Sequence, residues 1–303
     1  MKETCSYIVN NGKIINREDV NIFSNKMRGV VLAYTFWTIK ILRKEDRMKE
    51  FDAKKEVKDI IGFIREYYMY NKLGGAIIGI SGGKDSAVAA GIFTKALGKE
   101  NVIGVTLPCY SSEEDKEYAK LVSDCYGFEL INFDITKIYN TFKEEINELG
   151  NFNTEELKNS DINLKPRLRM SALYYLAALY SAIKGKTYLV VGTSNRCEKF
   201  VGYLTKGGDS VHDISVLADF TVEEVIKIGA YLKVPEKVLY KKPNDGLSNQ
   251  TDEDKLGVKY SEIADYMEDK NLLDPVTSNK ISTLHQSNLH KFTIPTYRRN
   301  DAV

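Results

Sequence analysis

Apolar residues follow two rhythms along this chain. Between Asp52 and Tyr70 they recur at helical spacing, at Val57, Ile60, Ile61, Phe63 and Ile64. Past Gly74 and Gly75 come short unbroken runs: Ala76-Ile77-Ile78, Val102 to Leu107, Phe128 to Ile135 and Thr187 to Val191. Such runs predict strands buried on both faces. Ala87-Val88-Ala89-Ala90 opens a helix after the first. Ser111 and Ser112, followed by Glu113 and Glu114, start another toward Val122. A small-residue helix, Ser171 to Ile183, precedes the fourth run, with Pro166 suited to a first helical turn. The alternation predicts an α/β fold: an open, mostly parallel twisted sheet with helices on both faces. Pro243 to Lys255 reads as an irregular, mobile stretch.

With 303 residues, 43% of them hydrophobic and 28% charged, the chain has the make-up of a soluble globular protein. Its net charge of +1 gives no electrostatic footprint for nucleic acid or an acidic membrane, so neither is expected as a partner. Cys5, Cys109, Cys125 and Cys197 form no C-x-x-C pair. Disulfides and structural zinc are therefore not expected, and a reducing cytoplasm is the simplest setting. Gly29 to Leu42 is apolar but falls short of the ~20 residues that span a bilayer. It lies too far in for a signal peptide, and a buried or interfacial helix is the expectation.

The chemistry begins at the end of the first predicted strand, in Gly79-Ile80-Ser81-Gly82-Gly83-Lys84-Asp85-Ser86. A strand, a glycine-rich turn and a helix N-terminus together bind phosphate: backbone N–H groups reach the anion and the helix end carries partial positive charge. The Ser81 and Ser86 hydroxyls add hydrogen bonds. Asp85 would repel a phosphate unless a cation lay between them, so it implies a metal such as Mg²⁺. Lys84 is followed by Asp85 rather than Ser or Thr, which excludes a Walker A loop, and G-x-G-x-x-G is absent. The string S-G-G-x-D-S instead resembles the pyrophosphate loop of the N-type ATP pyrophosphatases, which split ATP into AMP and pyrophosphate.

The fourth predicted strand runs into Gly192-Thr193-Ser194-Asn195-Arg196-Cys197-Glu198. This segment leaves the same edge of the sheet, so Glu198 can give the cation a second carboxylate. The loop Gly202 to Asp213 follows, with Lys206, Asp209 and Asp213 among its glycines, and suits the positioning of a polar substrate.

Taken with Asn163-Leu164-Lys165-Pro166-Arg167-Leu168-Arg169-Met170 and Gln250-Thr251-Asp252-Glu253, these motifs occur in an order that resembles ammonia-dependent NAD synthetase, from about Lys49 to Pro295. The resemblance implies a homodimer that adenylates the nicotinate carboxylate of deamido-NAD with ATP and then displaces AMP with ammonia. It also implies roles. Gly79, Ile80, Ser81, Gly82, Gly83, Lys84, Asp85 and Ser86, with Thr193 and Asn244, would hold ATP. Asp85 and Glu198 would bind Mg²⁺. Arg167, Lys206, Asp213, His290 and Lys291 would hold deamido-NAD. Asp209 would place or deprotonate the incoming ammonium, with Ser81 and Asp85 completing the catalytic set. Residues 1–47 would be an extension of uncertain role, of the kind a misassigned start codon adds, and 48–303 the enzyme domain. Val222 stands where relatives often carry a phosphate-binding lysine, a role Lys84, Lys241 or Lys242 could fill. The alternatives are another ATP pyrophosphatase-type ligase that modifies tRNA, or an inactive nucleotide-binding relative.

Overall fold

The computed structural model describes residues 8–10, 13–15, 51–241 and 251–297. The chain divides into two compact units, Met1–Phe51 and Asp52–Val303. In the first, strands β1 (Ile8–Asn10) and β2 (Lys13–Ile15) pair antiparallel. The helix expected over Gly29 to Leu42 lies outside the described residues.

The second unit is built on five strands: β3 (Gly75–Gly79), β4 (Val102–Thr106), β5 (Glu129–Asn132), β6 (Tyr188–Gly192) and β7 (Ile214–Ser215). Their order is β5-β4-β3-β6-β7, and every pair is parallel. The four apolar runs supply β3 to β6. β7 has two residues and no apolar run to announce it. β5 is shorter than its run because the Asp134 side chain accepts from Thr136 N and the chain turns into the helix Thr136–Glu148.

Ala76, Ile77 and Ile78 are fully buried, as a central parallel strand requires. On one face the helices Ala53–Tyr70, Lys84–Leu97 and Val222–Leu232 pack together. The first is capped by Asp52, whose Oδ1 accepts from Lys54 N and Lys55 N, and it buries Val57, Ile60, Ile64 and Tyr68. On the other face the helix Thr154–Lys184 lays Ala172, Leu176 and Ala177 over Ile77, Ile103 and Val190.

Pro166 does not sit in a first turn. It lies inside that single 31-residue helix, whose start is a capping box between Asn153 and Glu156. An interior proline costs a helix about 3 kcal/mol. Length and a buried apolar face carry the helix past it, and Pro166 rests against Gly208, where a Cβ would stand 2.9 Å from the proline Cβ. Of the stretch read as irregular, Pro243 to Gln250 lies outside the described residues, and its end is helical over Asp252–Leu256, because Thr251 and Asp254 cap each other reciprocally. Among the described residues no helix is long and apolar enough to cross a membrane.

The chain leaves β3 toward β4 and β5, then returns to place β6 on β3's other side. This reversal opens a crevice at the carboxyl ends of β3 and β6, where open α/β sheets bind ligands.

Candidate active site

The loop after β3 is held in a tight curl by its own serines. Ser81 Oγ lies 3.2 Å from Ser86 Oγ, Ser86 Oγ donates to Gly83 O at 3.0 Å, and Gly83 N donates to Ser81 Oγ at 3.3 Å. Gly82 takes a φ of +78°, which an L side chain rarely adopts. The helix Lys84–Leu97 starts at Gly83 with no side-chain cap, leaving its first N–H groups for an anion.

After β6 the chain makes a second helix start. Asn195 is fully buried and caps the helix Arg196–Val201: its Oδ1 accepts from Glu198 N at 3.1 Å, while Asn195 N donates to Glu198 Oε2 at 3.0 Å. Its Nδ2 reaches Asp85 Oδ1 at 3.3 Å, across 110 positions of sequence. One asparagine thus ties the two acidic turns together. The pairing of β3 with β6 makes this possible, since neighbouring parallel strands deliver their following turns to the same edge.

Electrostatics agree with this proximity. Burial, and next the Asp85 carboxylate, push Glu198 up to about 8, with Lys84 pulling the other way. Two acidic side chains brought to one buried sheet edge are a fitting place for a hard divalent cation. Asp252 lies in the field of Glu198 but is occupied: Tyr203 OH donates to its Oδ1 at 3.2 Å and Tyr260 OH to its Oδ2 at 3.3 Å. Among the described residues no group of three or more acids, histidines or cysteines forms a metal cage. Two carboxylates with phosphate and water completing the shell would suit Mg²⁺.

Beside the loop lies a cavity of about 260 Å³. Its floor is the strand ends, including Gly79, Thr106 and Gly192, continued by Ile80, Ser81 and Thr193. Arg169 and Met170 of the long helix form one wall, Asp115 and Lys116 another, and Gly208 and Asp209 close the far side. Asp209 Oδ1 accepts from Thr205 N at 2.8 Å. Crowding by protein raises its pKa above the ordinary carboxylate range, against that backbone bond and the charges of Lys291 and Arg169.

The residues expected to hold the dinucleotide do not line this cavity, but three are linked beside it. Arg167 Nε donates to Lys206 O at 3.3 Å, and Lys206 Nζ donates to His290 O at 2.8 Å. Lys291 is turned inward as a strut: its Nζ donates to Gly202 O at 2.7 Å and Leu204 O at 2.9 Å. Asp213 accepts from Tyr174 OH at 2.9 Å and from Val190 N at 2.8 Å, extending the pairing of β6 with β7. Asn244 and Lys242 lie outside the described residues. Val222 packs on the apolar cluster around Cys197, and Lys241 is paired with Asp115 and Glu114.

Sequence reasoning missed Asn195 and Arg169 as site residues. Asn195 had a signal, since an asparagine three residues before a glutamate is a capping pattern. Arg169 stood in a motif already noted, and only the cavity shows which of its arginines faces inward.

A family model described as NAD synthase matches residues 56–295. The chain is 38% identical over 249 residues to an NH(3)-dependent NAD(+) synthetase of Alkaliphilus oremlandii, covering 80% of this chain and 96% of that one. It is 37% identical over 254 residues to one from Methanocaldococcus jannaschii, covering 79% and 94%. Among solved structures, an NMN synthetase from Francisella tularensis superposes with a TM-score of 0.73 at 30% identity, over 82% of this chain and 99% of that one. An NH3-dependent NAD synthetase from Campylobacter jejuni, in complex with the nitrate ion, superposes with 0.66 at 28% identity, over 82% and 100%. With acidic turns joined at the carboxyl edge of a parallel sheet and a family match over most of its length, this chain belongs to the NAD synthase family.

Proposed function

We propose that this chain makes NAD from deamido-NAD, ATP and ammonia. The carboxylate oxygen of the nicotinate ring attacks the α-phosphorus of ATP, and the α–β bridging bond breaks to release pyrophosphate. Ammonia then adds to the acyl carbon, AMP leaves with the bonding pair, and the surplus proton passes to a base. A carboxylate is a poor acyl donor, and the mixed anhydride with AMP makes its oxygen a leaving group. The protein's part is positioning and charge neutralisation.

The curled loop Gly79 to Ser86 holds the phosphates, with Thr193 beside it on the cavity floor. Asp85 and Glu198 hold Mg²⁺, which when bound neutralises phosphate charge. Arg167, Lys206 and His290, already linked, orient the dinucleotide, while Lys291 and Asp213 brace the loop they belong with. Asp209 receives the ammonium ion: a carboxylate with a raised pKa lining the cavity is suited to accept its proton. Residues 1–47 are an extension outside this machinery. Tyr175, Leu179 and Ile183 form an exposed apolar stripe on the helix Thr154–Lys184, which suits a homodimer interface.

The observation that carries this reading is the bridge through Asn195 between the turns of Asp85 and Glu198. The test is pyrophosphate release with deamido-NAD, ATP, Mg²⁺ and ammonium. Asp85→Asn and Glu198→Gln are each expected to lower kcat/KM by about 100-fold or more, and activity unchanged in both would refute the assignment. Because one structural neighbour is described as an NMN synthetase, the mononucleotide acid belongs in the same assay. Faster turnover of the mononucleotide would make it the substrate.

A further inference from the structure

Lys84 is the least expected member of the loop. Its side chain is only 5% exposed, and lysines are almost never buried unless paired. Its Nζ lies 2.9 Å from Asp85 Oδ2, while the other Asp85 oxygen takes the Asn195 amide. Lys84 is thus ion-paired inside the protein with the acid that Asn195 ties to the Glu198 turn, and it is the cation the two acids have beside them.

We propose that Lys84 is the resident counter-cation of the site: it holds Asp85 and Glu198 ready while the enzyme is free, and keeps divalent ions out until a nucleotide arrives. The inference rests on the reading that these two acids bind the metal. The physical reason is charge balance. An ammonium and a divalent ion over two carboxylates carry an excess of positive charge at close range in a shielded place, where repulsion is strong. The phosphates of a nucleotide remove that excess. They also give Lys84 a new partner within reach, since it opens the helix that the phosphate loop leads into. Metal and nucleotide thus enter as a pair, and no empty-handed metal occupies the site.

The test measures Mn²⁺ binding to full-length protein by electron paramagnetic resonance, with and without a non-hydrolysable ATP analogue. Wild type is expected to bind the ion weakly alone. Lys84→Gln is expected to bind it at least about tenfold more tightly without nucleotide, and Mn²⁺ should raise the melting temperature of this variant but not of wild type. Lys84→Arg, which keeps the charge, should behave like wild type. Equal nucleotide-free affinity in wild type and Lys84→Gln would overturn the proposal. If Lys84→Gln does not fold unaided, Mn²⁺ but not K⁺ should restore folding, and failure of Mn²⁺ to do so would also overturn it. No binding to either protein even with the analogue would instead overturn the metal reading of Asp85 and Glu198.

Discussion

Gly82 shows how narrow the tolerance of the phosphate loop is. Beyond its positive φ, a Cβ at this position would stand 2.6 Å from the backbone oxygen of Asp115, at the start of the helix Glu113–Tyr126. Gly82→Ala must both strain its own backbone, at about 1–2 kcal/mol, and push that helix away. A lower urea midpoint is expected, with pyrophosphate release falling by about tenfold or more as the curl around Ser81 and Ser86 opens. Retention of wild-type activity would mean the loop's shape matters less than its side chains. The glycines and serines of this curl were legible in the sequence as a turn between a strand and a helix, because positive φ and short hydroxyl side chains are what such a turn needs. The partner of each was not. Nothing in the order of residues says that Lys84 turns to Asp85, or that Lys291 turns inward to two carbonyls.

At the scale of elements, the loop from Gly202 to Asp213 is anchored at both ends by unlike means. Lys291 and Asn288, from the C-terminal end of the chain, tie down Val201, Gly202 and Leu204. His212 packs its ring on Gly192 at the end of β6, where a Cβ would stand 2.4 Å from ring Cγ, and its Nδ1 is buried without a hydrogen-bond partner. Burial holds the His212 pKa below its ordinary value; Lys199 adds to this, while a backbone hydrogen bond with Asp209 and the charges of Asp213 and Asp209 oppose it. A depressed histidine contributes stability in full above its unfolded pKa, about 6.5, and that contribution is lost as pH falls through the lower folded value. Between pH 7.5 and 5.5, wild type should therefore lose more melting temperature than His212→Gln, followed by circular dichroism. Parallel losses would show that His212 does not titrate against the fold. β7 and this anchoring left no periodic signal, since two residues cannot establish a rhythm. The long helix was half legible: its apolar half was read correctly, and Pro166 misplaced its start because tertiary burial outweighed a local penalty.

For the whole molecule, the compact unit beginning at Asp52 holds every described residue assigned to the reaction. A chain beginning at Met48 is expected to keep full activity, and a soluble but inactive one would place part of the machinery in the first unit. Light scattering should give a dimer. Leu179→Glu, on the exposed stripe of the long helix, should give a monomer, because a charge at the centre of an apolar contact is desolvated without a partner. A monomer for wild type would remove the interface.

The sequence by itself determined the class of fold, the glycine-rich turn after the first strand and the family, because these rest on periodicity, on backbone freedom and on side-chain chemistry that each segment carries alone. It also set the two acids on turns that follow strands. Only the tertiary structure decided that β6 lies against β3, which brings those turns together through Asn195 and encloses a buried lysine between them. Strand order depends on how all the helices pack over both faces at once, and charge pairing across the crevice depends on strand order, so neither is written in any local stretch of the chain.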